Sequence, residues 1–68
     1  MELKNIPQER ILEYKSFVIE KVKQNPFFTP SAIALRSFYR GFIEFRFTDA
    51  RAIAEQTKQD YLAQNNNQ

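Results

Sequence analysis

The chain has 68 residues, with ten basic and eight acidic side chains and neither Cys nor His. A chain this short has room for one core, and small proteins usually need disulfides, a metal, tight helix packing or a partner chain. The missing Cys and His exclude disulfides, Cys/His zinc sites and nucleophilic catalysis of the Ser-His or Cys-His kind. We therefore expect one non-enzymatic domain over residues 1–64 that needs no cofactor, followed by a flexible polar tail at residues 65–68.

The distribution of charge argues against a membrane protein. Charged residues stand near the N-terminus, where a secretory signal would need an apolar run, and no stretch approaches the roughly 20 apolar residues of a membrane span. The net charge of +2 is small, and the basic residues are scattered among acidic ones rather than grouped in a stripe. We expect a cytoplasmic protein without a membrane partner, and nucleic acid is the less favoured macromolecular partner.

The first predicted helix runs from about Pro7 to Gln24. Proline suits the first turn of a helix, and the pair Asn25 and Pro26 ends it because a proline restricts the residue before it. The apolar residues recur at helical spacing: Ile11, Tyr14, Val18, Ile19 and Val22. Phe17 falls outside this stripe, on the polar flank of the helix, and it therefore requires a second packing partner.

The clearest helix start lies at Thr29, a natural N-cap, with Pro30 at the first helical position. A second helix is predicted from Pro30 through the segment that ends at Phe47. Its apolar face covers about half of the circumference and consists of Ala34, Leu35, Phe38, Tyr39, Phe42, Ile43 and Phe45. Gly41, on the edge of that face, indicates either the close approach of another backbone or a local weakening of the helix.

Residues 43–47 alternate between apolar and charged side chains, which also fits a short strand. A strand would have to pair with another molecule, because the chain contains no second alternating segment. Helix is the favoured interpretation, and the strand remains open.

The pair Thr48 and Asp49 predicts an N-cap and the acidic first turn of a third helix that ends near Ala63. Its apolar stripe is narrow and consists of small or isolated groups: Ala50, Ile53, Ala54, Thr57 and Tyr61. If the Thr48 cap is ignored, the second and third helices fuse into one rod. The predicted fold class is therefore all-α, either a helical hairpin or a small three-helix unit, completed by dimerisation.

Two arginines are the candidate partner-binding residues. Arg36 and Arg40 are one helical turn apart, and Glu44 lies one turn further along, where it could pair with Arg40. This pattern is that of a solvated helix face with one weak salt bridge, or of a docking point for an acidic surface or a phosphate.

Four apolar residues are the candidate self-association residues: Phe17, Ile43, Phe45 and Phe47. They project in more directions than one small core can receive, and burying an aromatic ring contributes roughly 1.5 to 3 kcal/mol. A symmetric dimer would place the same apolar patch of each chain against its copy.

The excess of apolar surface and the missing catalytic residues predict a small regulator, adaptor or accessory subunit that binds a larger protein through helix packing. The alternative is a compact nucleic-acid-binding, DNA-regulatory protein, because aromatic residues interleaved with arginine also occur in single-strand binders.

Overall fold

A computed structural model describes residues 6–66 of the chain, and the side chains of residues 6–64. It contains three helices, α1 (Gln8–Gln24), α2 (Pro30–Tyr39) and α3 (Phe47–Asn66), and no strand in this part of the chain. The all-helical prediction is confirmed in its three-helix form. The predicted tail, residues 65–68, lies outside the described side chains, and the backbone of its first two residues belongs to α3.

Helix α1 has the predicted bounds because both of its ends satisfy backbone groups locally. The Pro7 carbonyl accepts hydrogen bonds from the Arg10 and Ile11 amides at 3.0 and 3.2 Å. At the other end the Asn25 amide donates to the Lys21 carbonyl at 3.0 Å, although Asn25 itself is already extended. The side chain of Asn25 then accepts from the Phe27 amide, which turns the chain toward α2.

The start of α2 is also as predicted. The hydroxyl of Thr29 accepts a hydrogen bond from the Ala32 amide at 3.2 Å, and Pro30 occupies the first turn, where its missing amide hydrogen is not needed.

Helix α2 ends at Tyr39, well before its predicted end, because Gly41 adopts a left-handed backbone conformation with φ of 96°. The Gly41 amide donates to the Phe38 carbonyl at 3.3 Å, and the Phe42 amide donates to the Ser37 carbonyl at 3.1 Å. This pair of hydrogen bonds is the Schellman motif, which closes a helix with a glycine just beyond its cap.

The Schellman motif overturns several expectations for the middle of the chain. Residues 40–46 lie outside any helix or strand, so both the helical and the strand interpretation are wrong for residues 43–46, and Phe47 belongs to α3. The fused rod is wrong as well. Apart from the two neighbouring residues in the chain, no described atom lies within 4 Å of the position that a Cβ of Gly41 would take, so this glycine serves no close backbone approach. Helix α3 begins at Phe47, one residue before the predicted cap Thr48, and the Ala50 amide donates to the Arg46 carbonyl at 2.8 Å.

The loop of residues 40–46 completes the hydrophobic core with two aromatic rings. Phe42 and Phe45 are 7% and 3% exposed, and they pack against Tyr14 and Phe17 of α1. The Phe45 ring stacks on Tyr14 at a centroid distance of 4.8 Å, and the Phe42 ring meets Tyr14 edge-on at 5.2 Å and Phe17 at 5.6 Å. The expectation that Phe17 and Phe45 lie outside the core is therefore wrong, because this loop provides the second packing partner that Phe17 requires.

Tyr14 connects α1 to α3 from inside the core. Its side chain is fully buried, and its hydroxyl donates to the Ala50 carbonyl at 3.0 Å. Burial raises the pKa of Tyr14. The small side chains of Ala50 and Ala54 are fully buried, as the narrow stripe of the third helix predicted, and they leave room for the rings. Within the described part of the chain, no helix is both long and apolar enough to cross a membrane.

The substitution Phe45→Ala should remove most of the stability of the chain. Deleting a buried ring typically costs about 3 to 5 kcal/mol, which is comparable to the whole stability of a core this small. The matched control is Ile43→Ala two residues earlier, because Ile43 is 78% exposed and should change stability by less than about 0.5 kcal/mol. Circular dichroism melts and urea titrations measure both, and equal losses would contradict the assigned core.

Candidate interaction surface

Within the described residues, no three His, Cys, Asp or Glu side chains are grouped so that they could hold a metal ion. The carboxylates of Glu9, Glu13 and Glu20 are exposed on α1. The prediction that the chain is not an enzyme and needs no cofactor stays a prediction.

Arg10 holds the loop of residues 40–46 against α1. Its guanidinium forms a two-point ion pair with Glu44 at 2.6 and 3.1 Å, and it also contacts Glu13 at 2.8 Å. The same guanidinium donates to the Gly41 carbonyl at 3.0 Å and lies 4.6 Å from the centre of the Phe42 ring. Hydrogen bonding to the two carboxylates raises the pKa of Arg10, and the bond to Arg10 lowers the pKa of Glu44.

The outer side of this loop and of α2 exposes large apolar side chains. Leu35 is 55% exposed, Tyr39 87%, Ile43 78% and Phe47 40%, and Phe38 is partly buried beside them. We call this surface the apolar strip; its members are Leu35, Phe38, Tyr39, Ile43 and Phe47. Leu35 and Tyr39 are one turn apart on the solvent face of α2, and the rings of Phe38 and Phe47 lie 6.4 Å apart, which joins α2 to α3.

Arginines border the apolar strip on two sides. At about 100° per residue, Leu35 and Tyr39 lie between Phe38 on one flank of α2 and Arg36 on the other. The guanidinium of Arg36 lies 5.0 Å from the centre of the Phe28 ring, on that second flank. On the α3 side, Arg46 directly precedes Phe47.

Arg51 extends this second border, since it follows Phe47 by one helical turn and is exposed like Arg46. The arginines therefore stand at both edges of an apolar centre.

The structure separates the two predicted partner-binding residues. Arg36 belongs to α2, whereas Arg40 is the C-cap residue, and its guanidinium lies 5.4 Å from the centre of the Phe17 ring. The predicted pair of Arg40 with Glu44 is wrong, because α2 ends before Glu44 and Arg10 takes that carboxylate. Both arginines remain exposed, so their role in partner binding stays a prediction.

The predicted self-association residues fall into two groups. Phe17 and Phe45 are core residues of the single chain and offer no surface to a partner. Ile43 and Phe47 are exposed and belong to the apolar strip. Self-association itself stays a prediction, and it now depends on Ile43 and Phe47.

A second surface feature is an open groove of about 720 Å³ along α1. Its charged lining contains both cations and carboxylates: Arg10, Glu13, Glu20, Lys23 and Arg40. Such a mixed lining attracts neither sign of charge strongly, and the groove is a weaker candidate for specific binding than the apolar strip.

Sequence reasoning missed Arg10 and the exposure of Leu35 and Tyr39. Arg10 is separated from Glu44 by more than thirty positions, and nothing local marks the pair. Gly41 was the sequence signal for the exposure of Leu35 and Tyr39. A glycine that ends α2 leaves a short helix whose buried face contains Ile33 and Ala34, and Leu35 and Tyr39 lie on its other face.

Comparison of the chain with protein-family models, with curated proteins and with solved structures gave no match. The geometry of the surface is therefore the basis for a functional proposal.

The substitution Glu44→Gln should destabilise the fold in a pH-dependent way. The pKa of Glu44 is lower in the folded chain than in the unfolded chain. Its ionised carboxylate therefore stabilises the fold fully at pH values above the pKa of the unfolded chain, and this stabilisation is lost as the pH falls through the pKa of the folded chain. The free energy of unfolding should therefore be lower than that of the wild type at about pH 7, and the difference should shrink toward about pH 3. Urea titrations at both pH values measure it.

The control is Glu20→Gln, since the Glu20 carboxylate is exposed on α1 and has no salt bridge within residues 6–64. It should change stability little at either pH. A Glu44→Gln variant with equal losses at both pH values would contradict the role assigned to the ion pair.

Proposed function

We propose that this chain is a small non-enzymatic binding protein, a regulator, adaptor or accessory subunit that docks on a larger protein through the apolar strip. The observation that carries the proposal is the exposure of Leu35, Tyr39, Ile43 and Phe47 along α2, the loop that follows it and the start of α3. Contiguous exposed apolar surface on a small protein commonly marks an interaction site. Tyrosine, phenylalanine and arginine are also the residues enriched in protein interfaces.

The strip is separable from the core. The core rings, Tyr14, Phe17, Phe42 and Phe45, are buried without any partner chain. The strip residues are thus available for binding, and their substitution should affect the fold little.

Nucleic-acid binding is the second candidate function, and the exposed arginines favour it. Arg46 directly precedes the exposed Phe47 and Arg51 follows it by one helical turn, and single-strand binders combine aromatic rings with arginines in this way. Its weakness is that aliphatic Leu35 and Ile43 occupy the same surface, where a base-stacking platform would present aromatic faces.

We also propose that two copies of the chain can associate through the apolar strip. It would bury Ile43 and Phe47 against a second copy, and its strength should depend on how closely the bordering arginines of the two copies approach one another.

The double substitution of Leu35→Ser with Tyr39→Ser should abolish partner capture. The immobilised chain is exposed to a lysate of its native host, and retained proteins are quantified by mass spectrometry. Removing two interface anchors should lower retention by about tenfold or more.

The matched control is Leu12→Ser with Phe27→Ser, because Leu12 is 54% exposed and Phe27 is 87% exposed, nearly the same values as for Leu35 and Tyr39. The control should capture the same proteins as the wild type. If both double variants lose capture equally, or neither does, the strip is not the docking surface.

The substitution Phe47→Ser together with Ile43→Ser should shift the chain toward monomer if copies associate through these residues. Light scattering behind a sizing column should then give at least twice the monomer mass of 8.1 kDa for the wild type at micromolar concentration, with melting that rises with concentration. The variant should remain folded, whereas Phe45→Ser should unfold. A monomeric wild type whose melting temperature does not depend on concentration would contradict this prediction.

A further inference from the structure

We infer that the partner of the apolar strip is an acidic amphipathic segment of a protein, with apolar side chains for the centre and carboxylates for the arginine borders. This inference rests on the proposed function, and it adds the chemistry of the partner. It is carried by the charges around the strip, by the type of basic residue there, and by the opposite salt dependence that distinguishes an acidic segment from a second copy.

The first argument is the sign of the charge at the strip. The bordering arginines are Arg36, Arg46 and Arg51, whereas Arg40 lies over the Phe17 ring of α1. Residues 35–47 contain a single carboxylate, Glu44. That carboxylate is already bound at two points by Arg10, so it does not neutralise the bordering arginines. An apolar centre with a cationic border is complementary to an apolar segment that carries Asp and Glu on its flanks.

The second argument is the type of basic residue. The chain has no lysine between Lys23 and Lys58, and four of its arginines lie in that interval. Arginine is enriched and lysine depleted in protein interfaces, because the planar guanidinium binds a carboxylate at two points and packs on apolar surface. Lysine would bind a polyanion equally well by charge alone, so the preference for arginine favours a protein partner.

The third argument concerns a second copy of the chain as the occupant. A symmetric contact would bring the same surface of both copies together, and with it the arginines at both borders. Glu44 lies between Arg36 and Arg46 in the sequence but would not compensate them, because it is held by Arg10. Association of two copies through the strip should therefore strengthen as salt screens the repulsion, whereas binding of an acidic segment should weaken.

The experiment is a selection with the full chain as bait. A displayed library of random peptides of about 16 residues is selected on the immobilised wild type, after removal of peptides that bind the Leu35→Ser, Tyr39→Ser variant. The enriched peptides should carry apolar residues three and four positions apart and an excess of Asp and Glu over Lys and Arg. A synthetic consensus peptide should bind in a fluorescence anisotropy titration with an affinity that falls as salt rises.

The charge variants decide the role of the arginines. Arg36→Gln with Arg46→Gln removes one charge from each border and should weaken the consensus peptide roughly threefold to thirtyfold. The control Lys15→Gln with Lys23→Gln removes the same charge from exposed positions on α1 and should leave binding within twofold of the wild type. Unchanged melting curves show that both variants are folded.

Different failures have different meanings. Enriched apolar peptides without an acidic excess, or binding that strengthens with salt, would overturn the inference and leave the proposed protein-binding function standing. If no peptide distinguishes the wild type from the Leu35→Ser, Tyr39→Ser variant, the inference and the proposed function both fail. The same holds if phosphatidylserine vesicles or an oligothymidylate of about 20 nucleotides bind more tightly than any peptide and lose binding in that variant.

Discussion

The left-handed backbone at Gly41 is the constraint on which the rest of this structure depends. A residue with a Cβ would lose roughly 1 to 2 kcal/mol in that conformation, and glycine does not. Glycine is required here for its backbone conformation alone, since no other part of the described chain packs against the position of a Cβ at Gly41. By closing α2 there, the chain turns Phe42 and Phe45 into the core, and it also brings Glu44 to Arg10.

The core shows how a short chain without disulfides hides its aromatic residues. Tyr14 is in contact with three other rings, and its buried hydroxyl donates a hydrogen bond to the Ala50 carbonyl. The polar atom of this core residue therefore has a hydrogen-bond partner. Cationic side chains then cover ring faces that the short helices leave open: Arg10 lies over Phe42, and both Lys21 and Arg40 lie over Phe17. Long charged side chains thus add apolar cover while their charges stay near water.

The helix ends that local chemistry determines were predictable from the sequence. Pro7, Asn25 and Thr29 act through groups within a few positions along the chain, and the structure has α1 and the start of α2 at the expected residues. The segment after Tyr39 was not predictable from periodicity, because its aromatic spacing fits a helix while a single glycine determines its conformation. The pairing of Arg10 with Glu44 depends on the fold itself, and so does the exposure of the strip. The arginines were identifiable as candidates, but their positions around an apolar centre were not.

The separation of core from strip has an energetic consequence. Tyr14 and its ring neighbours are buried within one chain, so folding does not require the apolar area of Leu35, Tyr39 and Ile43 to leave water. Burial of that area by a partner would therefore add hydrophobic stabilisation to a complex, against the entropic cost of association. The strip also lies on the helix and loop that Gly41 and Arg10 fix in place, so docking there would order little additional backbone. If the strip is the docking surface that we propose, a chain of this size offers a preorganised surface, in which the fold sets the geometry and the arginine borders would set which partners bind.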